Sequence, residues 1–267
     1  MMLSGKNAVI YGAGGSLGGT IAQAFAQEGA ILYLTGRNTD SVNKKAEAIR
    51  AVGGECHTAV VDALNAVAIE KHLAGLPRVD ISFNAIGWED RQDLPLTDMD
   101  PEDFLRPLRR AMETEFLTCT AAARAMMRQQ SGVILTLTAT PGGIGYPHVG
   151  GFGPACCAVE SLTRNLASEV GPYGVRVVNI RSGGSPDSRP FREAIEQGGD
   201  VVKEFLHKLE ADTMLKKMPM MDDIANAAVF LASSRADKIT GVTLDITCGT
   251  TSALNYTVPT IPFLQHD

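Results

Sequence analysis

Short apolar runs alternate with amphipathic stretches along most of the chain. The apolar runs are bounded by glycine or polar residues and have the length of buried strands. The stretches between them repeat apolar residues at three- and four-residue spacing, which predicts helices. Strands are predicted over residues 6–11, 30–35, 57–61, 80–84, 132–138, 175–180 and 242–246.

The predicted helices occupy the intervals between these strands. They begin after the glycine turn that ends at Gly18, at Thr39 or Asp40, and at residues 64, 101, 152 and 221. Pro101 suits a first helical position, whereas Pro107 is a candidate interruption. Such alternation predicts an α/β fold, a Rossmann-like doubly wound parallel sheet of about seven strands with helices on both faces. Ligands then bind at the carboxyl ends of the strands, near the switch point.

The spacing of these elements indicates one domain over residues 1–267, with no linker long enough to divide it. Residues 182–220 carry Pro186, Pro190 and a Gly-Gly pair, and they predict a loop with helical pieces that forms a substrate lid. The last 18 residues show no clear pattern.

A glycine-rich turn follows the first strand, where Gly12-Ala13-Gly14-Gly15-Ser16-Leu17-Gly18 leads into an amphipathic stretch. Strand, glycine turn and helix together favour binding of a nucleotide diphosphate. The glycines allow close approach of the backbone, and the helix N-terminus attracts phosphate. The alternative is a tight turn without a ligand, because glycine clusters occur without one.

Composition and charge narrow the kinds of molecule that the protein is expected to bind. The net charge of −6 argues against nucleic acid or an anionic membrane as the main partner, and no apolar run is long enough to span a bilayer. Five cysteines, without a C-x-x-C pair, suit a reducing compartment and give no metal-site pattern. Gly12 interrupts the first apolar stretch too early for a signal peptide, so we expect a soluble, cytoplasmic protein.

Several motifs, in the right order, resemble those of the short-chain dehydrogenase/reductase family along nearly the whole chain. The first turn is similar to the family's T-G-x-x-x-G-x-G, with Ser16 in place of the middle glycine. Residues 80–87, D-I-S-F-N-A-I-G, resemble its D-x-x-x-N-N-A-G. Residues 158–167, 173–179, 230–233 and 239–241 match the stretch after its active-site lysine, its next strand and its C-terminal signature.

The resemblance implies a nicotinamide cofactor, and one position favours NADP(H). An NAD-binding member usually has an acidic residue at the end of the second strand, where this chain has Thr35-Gly36-Arg37-Asn38. Arg37 can bind a 2′-phosphate, or it can be a solvated loop arginine. Asp62 matches the residue that contacts the adenine, or it caps a helix. The implied cofactor-binding residues are Gly12, Gly15, Ser16, Leu17, Gly18, Arg37, Asn38, Asp62, Ala63, Asn84, Ala85 and Gly87.

The catalytic half departs from the family pattern. The family's chemistry rests on an asparagine, a serine, a tyrosine and a lysine, the last two in Y-x-x-x-K. The motif at residues 158–167 fixes the register, which places the tyrosine at Phe152, the lysine at Cys156 and the serine, thirteen residues before the tyrosine, at Ala139. In the long helix, matching Phe116-Leu117 and Met126 places the asparagine at Ala111. None of these side chains can perform the corresponding role, so the family's usual proton transfer is not expected.

Other groups offer replacements. Tyr146 and His148, in the loop after the fifth strand, are candidate proton donors or loop residues that pack over the sheet edge. A register slip would let Thr138 or Thr140 replace the missing hydroxyl, although strand alternation turns them to the opposite face. Cys156 and Cys157 are interpreted as small apolar residues of a buried helix face. Methionines between residues 214 and 221 either line an apolar substrate pocket or fill core.

Three functions therefore remain open. The first is a divergent NADPH-dependent reductase of a small, apolar substrate, whose proton comes from Tyr146, His148 or water. The second is a catalytically inactive member that binds NADP(H) or partners an active homologue. The third is a non-redox cyclase or dehydratase. The resemblance also implies a homo-oligomer formed through the two long helices, and it makes mixed oligomers with an active homologue plausible.

Overall fold

The computed structural model describes residues 1–253, apart from the side chains of residues 201 and 205. Of the last 18 residues, those from 254 onward lie outside the described part. The strands are β1 (Asn7–Tyr11), β2 (Ile31–Gly36), β3 (Cys56–Val60), β4 (Ile81–Asn84), β5 (Gly132–Ala139), β6 (Val175–Ser182) and β7 (Thr243–Ile246). The helices are α1 (Ser16–Gln27), α2 (Thr39–Ala51), α3 (Ala66–Ala74), α4 (Pro101–Gln129), α5 (Phe152–Val170), α6 (Arg189–Asp212) and α7 (Met221–Ala232).

The strands form a parallel sheet in the order β3-β2-β1-β4-β5-β6-β7. The order reverses between β1 and β4, so the switch point lies beside the glycine turn. The predicted seven-stranded, doubly wound α/β fold is therefore confirmed within residues 1–253.

Strand alternation divides the core between the two faces of the sheet. In β1, Ala8 and Ile10 pack with residues of α1, α2 and α7, whereas Val9 and Tyr11 pack with residues of α3, α4 and α5. All five β1 residues are buried because both faces are covered. This explains why the strand reads as a continuous apolar run rather than an alternating one.

Several expected boundaries shift. Helix α1 begins at Ser16, two residues before the end of the glycine motif. Asn38, rather than Thr39 or Asp40, caps α2, because its side-chain oxygen accepts from the Asp40 N–H at 2.9 Å. Pro107 does not interrupt α4, whose long buried stripe continues through it. Tertiary packing of that stripe outweighs the missing backbone hydrogen bond.

The predicted lid contains two helical pieces. They make up the span α6, and Gly199 separates them with non-helical backbone angles, φ of 55° and ψ of −131°. Pro190 lies in the first turn, where its missing N–H is tolerated. Residues 183–188 and 213–220 form loop on either side, so the lid is a loop with helical pieces, as the sequence predicts.

Candidate functional site

The glycine turn brings three parts of the chain into close contact. Gly12 has φ of +72°, and a Cβ there would lie 2.8 Å from the carbonyl oxygen of Ala85. A Cβ on Gly18 would lie 2.8 Å from the carbonyl oxygen of Gly12. These distances are too short for side-chain carbon, so both positions require glycine for the turn, α1 and the end of β4 to meet.

Helix α1 begins inside this turn. Helix geometry leaves the amide N–H groups of its first residues, Ser16, Leu17 and Gly18, without acceptors within the helix. Such N–H groups, together with the helix dipole, favour a phosphate. The Ser16 hydroxyl oxygen accepts a hydrogen bond from the Arg189 N–H at 3.0 Å, so the first residue of α6 lies directly against the turn.

A groove of about 220 Å³ runs from this turn along the carboxyl ends of β1, β2 and β4. Seven of the expected cofactor-binding residues line it: Gly12, Gly15, Arg37, Asp62, Ala63, Ala85 and Gly87. Thr35, Ile86, Arg110 and Thr114 line it as well. The last two come from α4, and the sequence reasoning missed them because only the tertiary structure brings that helix to the groove.

Two polar atoms at the groove lack a partner within the described residues. The Tyr11 hydroxyl and the Arg110 Nε are both buried and form no hydrogen bond there. Both atoms lie beneath the groove surface, and the Tyr11 hydroxyl is near Cys119 and Glu70, so these atoms do not by themselves indicate a ligand. The close backbone packing at Gly12 and the N–H groups at the start of α1 fit the phosphates of a nicotinamide dinucleotide.

Some of the expected cofactor residues hold the framework. Asn84 is buried, and its amide donates to Thr118 Oγ1 at 3.1 Å while its oxygen accepts from the Ile86 N–H at 3.0 Å. The Asn38 side chain caps α2. The Asp62 carboxylate accepts from the Leu64 N–H at 3.1 Å and still lines the groove, so it serves a turn and remains available to a ligand.

The four positions that match the family's catalytic residues meet in one apolar cluster. Ala111, Cys156 and Trp88 are fully or almost fully buried there, and Ala139 and Phe152 pack against them. The Trp88 and Phe152 rings lie 5.4 Å apart between centroids, with their planes tilted by 48°. Sequence reasoning did not assign Trp88, which fills space beside positions that carry polar chemistry in the family.

The cysteine at the lysine position cannot replace it chemically. Burial raises the pKa of Cys156 to about 12, so its thiol stays neutral at physiological pH. The neighbouring Cys157 is exposed rather than packed in a buried helix face, which corrects the expectation for that residue. All five cysteines are free thiols.

Thr138 does not replace the missing serine. Its hydroxyl is buried, donates to Glu160 Oε1 at 3.0 Å and accepts from Asn179 Nδ2 at 2.7 Å. Arg181 completes this network by an ion pair with Glu160 at 2.6 Å. The network joins β5 and β6 to α5, and so it fixes that helix against the sheet.

Tyr146 lies at the substrate side of the sheet. It is half-buried and lines a small cavity with Thr140, Gly183 and Gly184, at the carboxyl ends of β5 and β6. Tyr146 and His148 also line a larger cleft of about 870 Å³ beneath α6. Burial, with the nearby Asp212 carboxylate, raises the pKa of Tyr146. His148 is exposed, and its backbone has φ of 61°.

The methionines between 214 and 221 do not form one surface. Met218 lines the small cavity beside Tyr146. Met214 and Met220 are exposed, and the Met221 sulfur accepts from the Thr20 hydroxyl at 3.8 Å. Within residues 1–253, no helix is long and apolar enough to cross a membrane, and no group of three or more His, Cys, Asp or Glu residues is arranged to hold a metal ion.

The fold and the groove define a nucleotide-binding α/β protein of the Rossmann class. The model of the family described as enoyl-(acyl carrier protein) reductase matches residues 12–251. The chain therefore belongs to this family of short-chain dehydrogenases/reductases, which bind nicotinamide cofactors. The resemblance inferred from the motifs is confirmed.

Relatives support the same family over the full fold. The chain is 28% identical to 7alpha-hydroxysteroid dehydrogenase of Escherichia coli K12, over 96% of this chain and 98% of that protein. A gluconate 5-dehydrogenase from Burkholderia cenocepacia, solved with NADP and tartrate, is 26% identical, with a TM-score of 0.84 over 94% and 97% of the two chains. An NAD⁺-bound xylitol dehydrogenase, 24% identical, has a TM-score of 0.86 over 93% and 100%, and so supports the fold.

Proposed function

We propose that this protein binds NADP(H) and reduces a small, largely apolar molecule, with Tyr146 as the proton donor. The placement of Tyr146 carries this proposal. Its half-buried ring lines the cavity at the ends of β5 and β6, beside Thr140 and the Gly183-Gly184 turn. Ligands of doubly wound sheets bind at this edge.

The Tyr146 phenol is protonated at neutral pH, so it can give its proton to a substrate atom. Burial and the Asp212 carboxylate raise its pKa, which makes it a weaker acid, so bound substrate and cofactor would have to offset that effect. Bound cofactor would supply the hydride.

The cleft beneath α6 supports an apolar substrate with a polar group. Its apolar lining includes Val149, Phe191 and Leu209, and Lys208 and Asp212 supply charge at one side. Mainly apolar pockets with a few placed polar groups are typical of small-molecule sites. A steroid or a sugar acid is what the names of the two relatives indicate for those proteins; for this chain we infer only an apolar body.

Arg37 supports NADP(H) over NAD(H). It lines the groove at the end of β2, where no acidic residue follows Gly36 to repel a 2′-phosphate. The related gluconate 5-dehydrogenase was solved with NADP. Cytoplasmic location and a homo-oligomer remain part of the proposal; exposed Leu105 and Phe116 on α4 support an oligomer contact on that helix.

The apolar cluster favours a second candidate, a member that binds NADP(H) without turnover. The four positions that match the family's polar catalytic residues carry apolar side chains or a buried thiol in this chain. Trp88 and Phe152 pack in the same cluster. Such a protein would sense the cofactor or accompany an active homologue.

A binding and turnover experiment separates the candidates. NADPH and NADH are titrated into the full chain, and NADPH consumption is then followed with ketones, enones and imines. We expect preferential NADPH binding, turnover of one class, and a loss of about 100-fold in kcat for Tyr146→Phe. Tyr173→Phe, at an exposed tyrosine, is the matched control, and Phe152→Tyr alone should activate nothing.

Other outcomes would reject the reductase. Failure to bind either cofactor excludes both leading candidates. Binding without turnover supports the second candidate, and product formation without cofactor supports the non-redox alternative. Turnover that is unchanged in Tyr146→Phe would remove Tyr146 as the donor.

A further inference from the structure

Glu89 lies between two arginines of the cofactor groove. Its Oε1 is 3.1 Å from Arg110 Nη2 and 3.7 Å from Arg37 Nη2. Both contacts end on the same carboxylate oxygen. The Arg110 and Arg37 nitrogens are therefore separated by at most the sum of these two distances. Both arginines also line the groove. The Glu89 carboxylate therefore already contacts Arg37, to which the proposed function assigns the 2′-phosphate.

The backbone presents Glu89 in an unusual conformation. Its φ is 57°, in the left-handed region that residues with a Cβ rarely occupy. The Arg106 Nη1 donates to the Glu89 carbonyl oxygen at 3.5 Å. A strained residue that holds a charged side chain at a ligand groove is the kind of feature that suggests a role in binding.

Arg110 has hydrogen-bonding capacity that Glu89 does not use. The Arg110 side chain is only 17% exposed. Its buried Nε lacks an acceptor in the part of the chain that the structure describes. A guanidinium group binds phosphate well because its parallel N–H groups match two oxygens at once. A phosphate has three acceptor oxygens and more charge than a carboxylate, so it suits a pair of arginines better than Glu89 does.

We infer that Arg37 and Arg110 form a two-arginine seat for the 2′-phosphate of NADP(H), which Glu89 occupies until the cofactor displaces it. The inference rests on the proposed NADP(H) binding and adds Arg110 and Glu89 to it. Without ligand, Glu89 keeps the two cations close together. On binding, the phosphate takes the place of the Glu89 carboxylate between the two guanidinium groups.

The 2′-phosphate, rather than the diphosphate, is the group that this seat matches. The diphosphate is expected at the first N–H groups of α1, which lie in the glycine turn. The seat instead includes Arg37, just after β2, where the adenosine ribose of a dinucleotide lies in this class of fold. NAD(H) has no phosphate at that position and would leave Glu89 paired.

Separating Glu89 from the two arginines should cost little free energy. The Arg37 and Glu89 side chains are 61% and 54% exposed, and ion pairs in that environment are weak. Removing the carboxylate should therefore tighten binding of the phosphate by a small factor. Removing Arg110 should weaken it more, because a charged and partly buried donor is lost.

The test uses adenosine 2′,5′-bisphosphate and adenosine 5′-diphosphate, which lack the nicotinamide end and so avoid the altered catalytic half. Isothermal titration of the full chain compares wild type, Glu89→Gln and Arg110→Gln. Glu102→Gln and Arg109→Gln are matched controls, since those two residues form their own ion pair on α4 and do not line the groove.

We expect Glu89→Gln to bind adenosine 2′,5′-bisphosphate about three- to tenfold more tightly than wild type. We expect Arg110→Gln to bind it about tenfold more weakly. Binding of adenosine 5′-diphosphate should change by less than about twofold in both variants, as should all binding by the two controls.

Unchanged or weakened bisphosphate binding in Glu89→Gln would overturn the inference, as would equal tightening for both ligands. This variant decides the matter even if Arg110→Gln is unstable, because Glu89 is exposed. A wild type that does not prefer the 2′-phosphate rejects the proposed NADP(H) specificity itself. Preference in the wild type, with no response to Glu89→Gln, rejects only the seat.

Discussion

The edge of the sheet formed by the carboxyl ends of the strands has two regions that differ in their chemistry. At the groove beside β1, β2 and β4, glycines, a helix N-terminus and charged side chains remain arranged for a dinucleotide. Beside β5 and α5, Ala111, Ala139, Phe152 and Cys156 form an apolar cluster with Trp88. The two regions belong to different elements of the fold, so the chemistry of one can change without the other.

The difference follows from what each region uses for its chemistry. Phosphate binding at the glycine turn relies on backbone N–H groups, which remain when side chains change. Proton transfer relies on individual side chains, so single substitutions can alter it. The fold is preserved in both regions because the apolar replacements pack well.

The largest effect is expected at the groove. Gly12→Ala would place a Cβ 2.8 Å from the Ala85 carbonyl oxygen and 3.0 Å from the Ile86 nitrogen, at a positive φ. We expect NADPH affinity to fall by about 100-fold and the free energy of unfolding to fall by ~2–4 kcal/mol. Titration with NADPH and urea unfolding measure the two.

Gly5→Ala is the control for this substitution. Gly5 also has a positive φ, of 69°, but a Cβ there meets nothing within 4 Å. It should lose ~1 kcal/mol through backbone strain alone and bind NADPH normally. Equal losses of affinity in the two variants would show that the close approach at Gly12 is not what shapes the groove.

The next largest effect tests the apolar cluster. Trp88 is 5% exposed and contacts the Phe152 ring. Trp88→Ala should lower the free energy of unfolding by ~3–5 kcal/mol because it leaves a cavity. Trp88→Phe should lose only ~1 kcal/mol, since the buried Nε1 has no hydrogen bond to lose among the described residues. Urea denaturation compares them, and equal stability of the Ala and Phe variants would contradict a packed cluster.

A further effect, on how stability depends on pH, comes from a buried carboxyl on α4, one turn beyond Ala111. Glu115 contacts Cys119, whose thiol donates to it at 3.5 Å. Burial raises the pKa of Glu115 from 4.5 to about 8. The native protein therefore keeps a proton that the unfolded chain has lost. Between these two values, stability falls as pH rises, by up to about 1.4 kcal/mol per pH unit.

Glu115→Gln should remove this slope, because an amide does not titrate. Glu113→Gln, at an exposed position on the same helix, should keep it. Urea unfolding at several pH values between 5 and 8 measures both slopes. A wild-type profile as flat as that of Glu115→Gln would show that the Glu115 carboxyl is already ionised in the native protein.

The sequence predicted the framework well where a pattern is local. Continuous apolar runs gave the seven strands, since strands covered on both faces need apolar residues throughout. It erred at Pro107, a candidate interruption through which α4 continues. Seven of the twelve expected cofactor residues line one groove, but only Gly12 and Gly15 of these belong to the glycine turn, and the others follow β2, β3 and β4.

Arg110, Thr114, Glu89 and Trp88 could not be found in this way. Arg110 and Thr114 reach the groove from the middle of a 29-residue helix. Glu89 and Trp88 belong to the loop after β4, whose path is set by contacts with α4 and α5 rather than by a local motif.

By itself, the sequence determined the family, the strand–helix order and the glycine turn. These features depend on residue type and on spacing within short segments. The tertiary structure alone decided that Ala111, Ala139, Phe152 and Cys156 meet in one apolar cluster, that Tyr146 lines a cavity at the ends of β5 and β6, and that Glu89 joins Arg37 to Arg110. Those contacts join segments far apart in the chain, so their geometry depends on how the helices pack against the sheet.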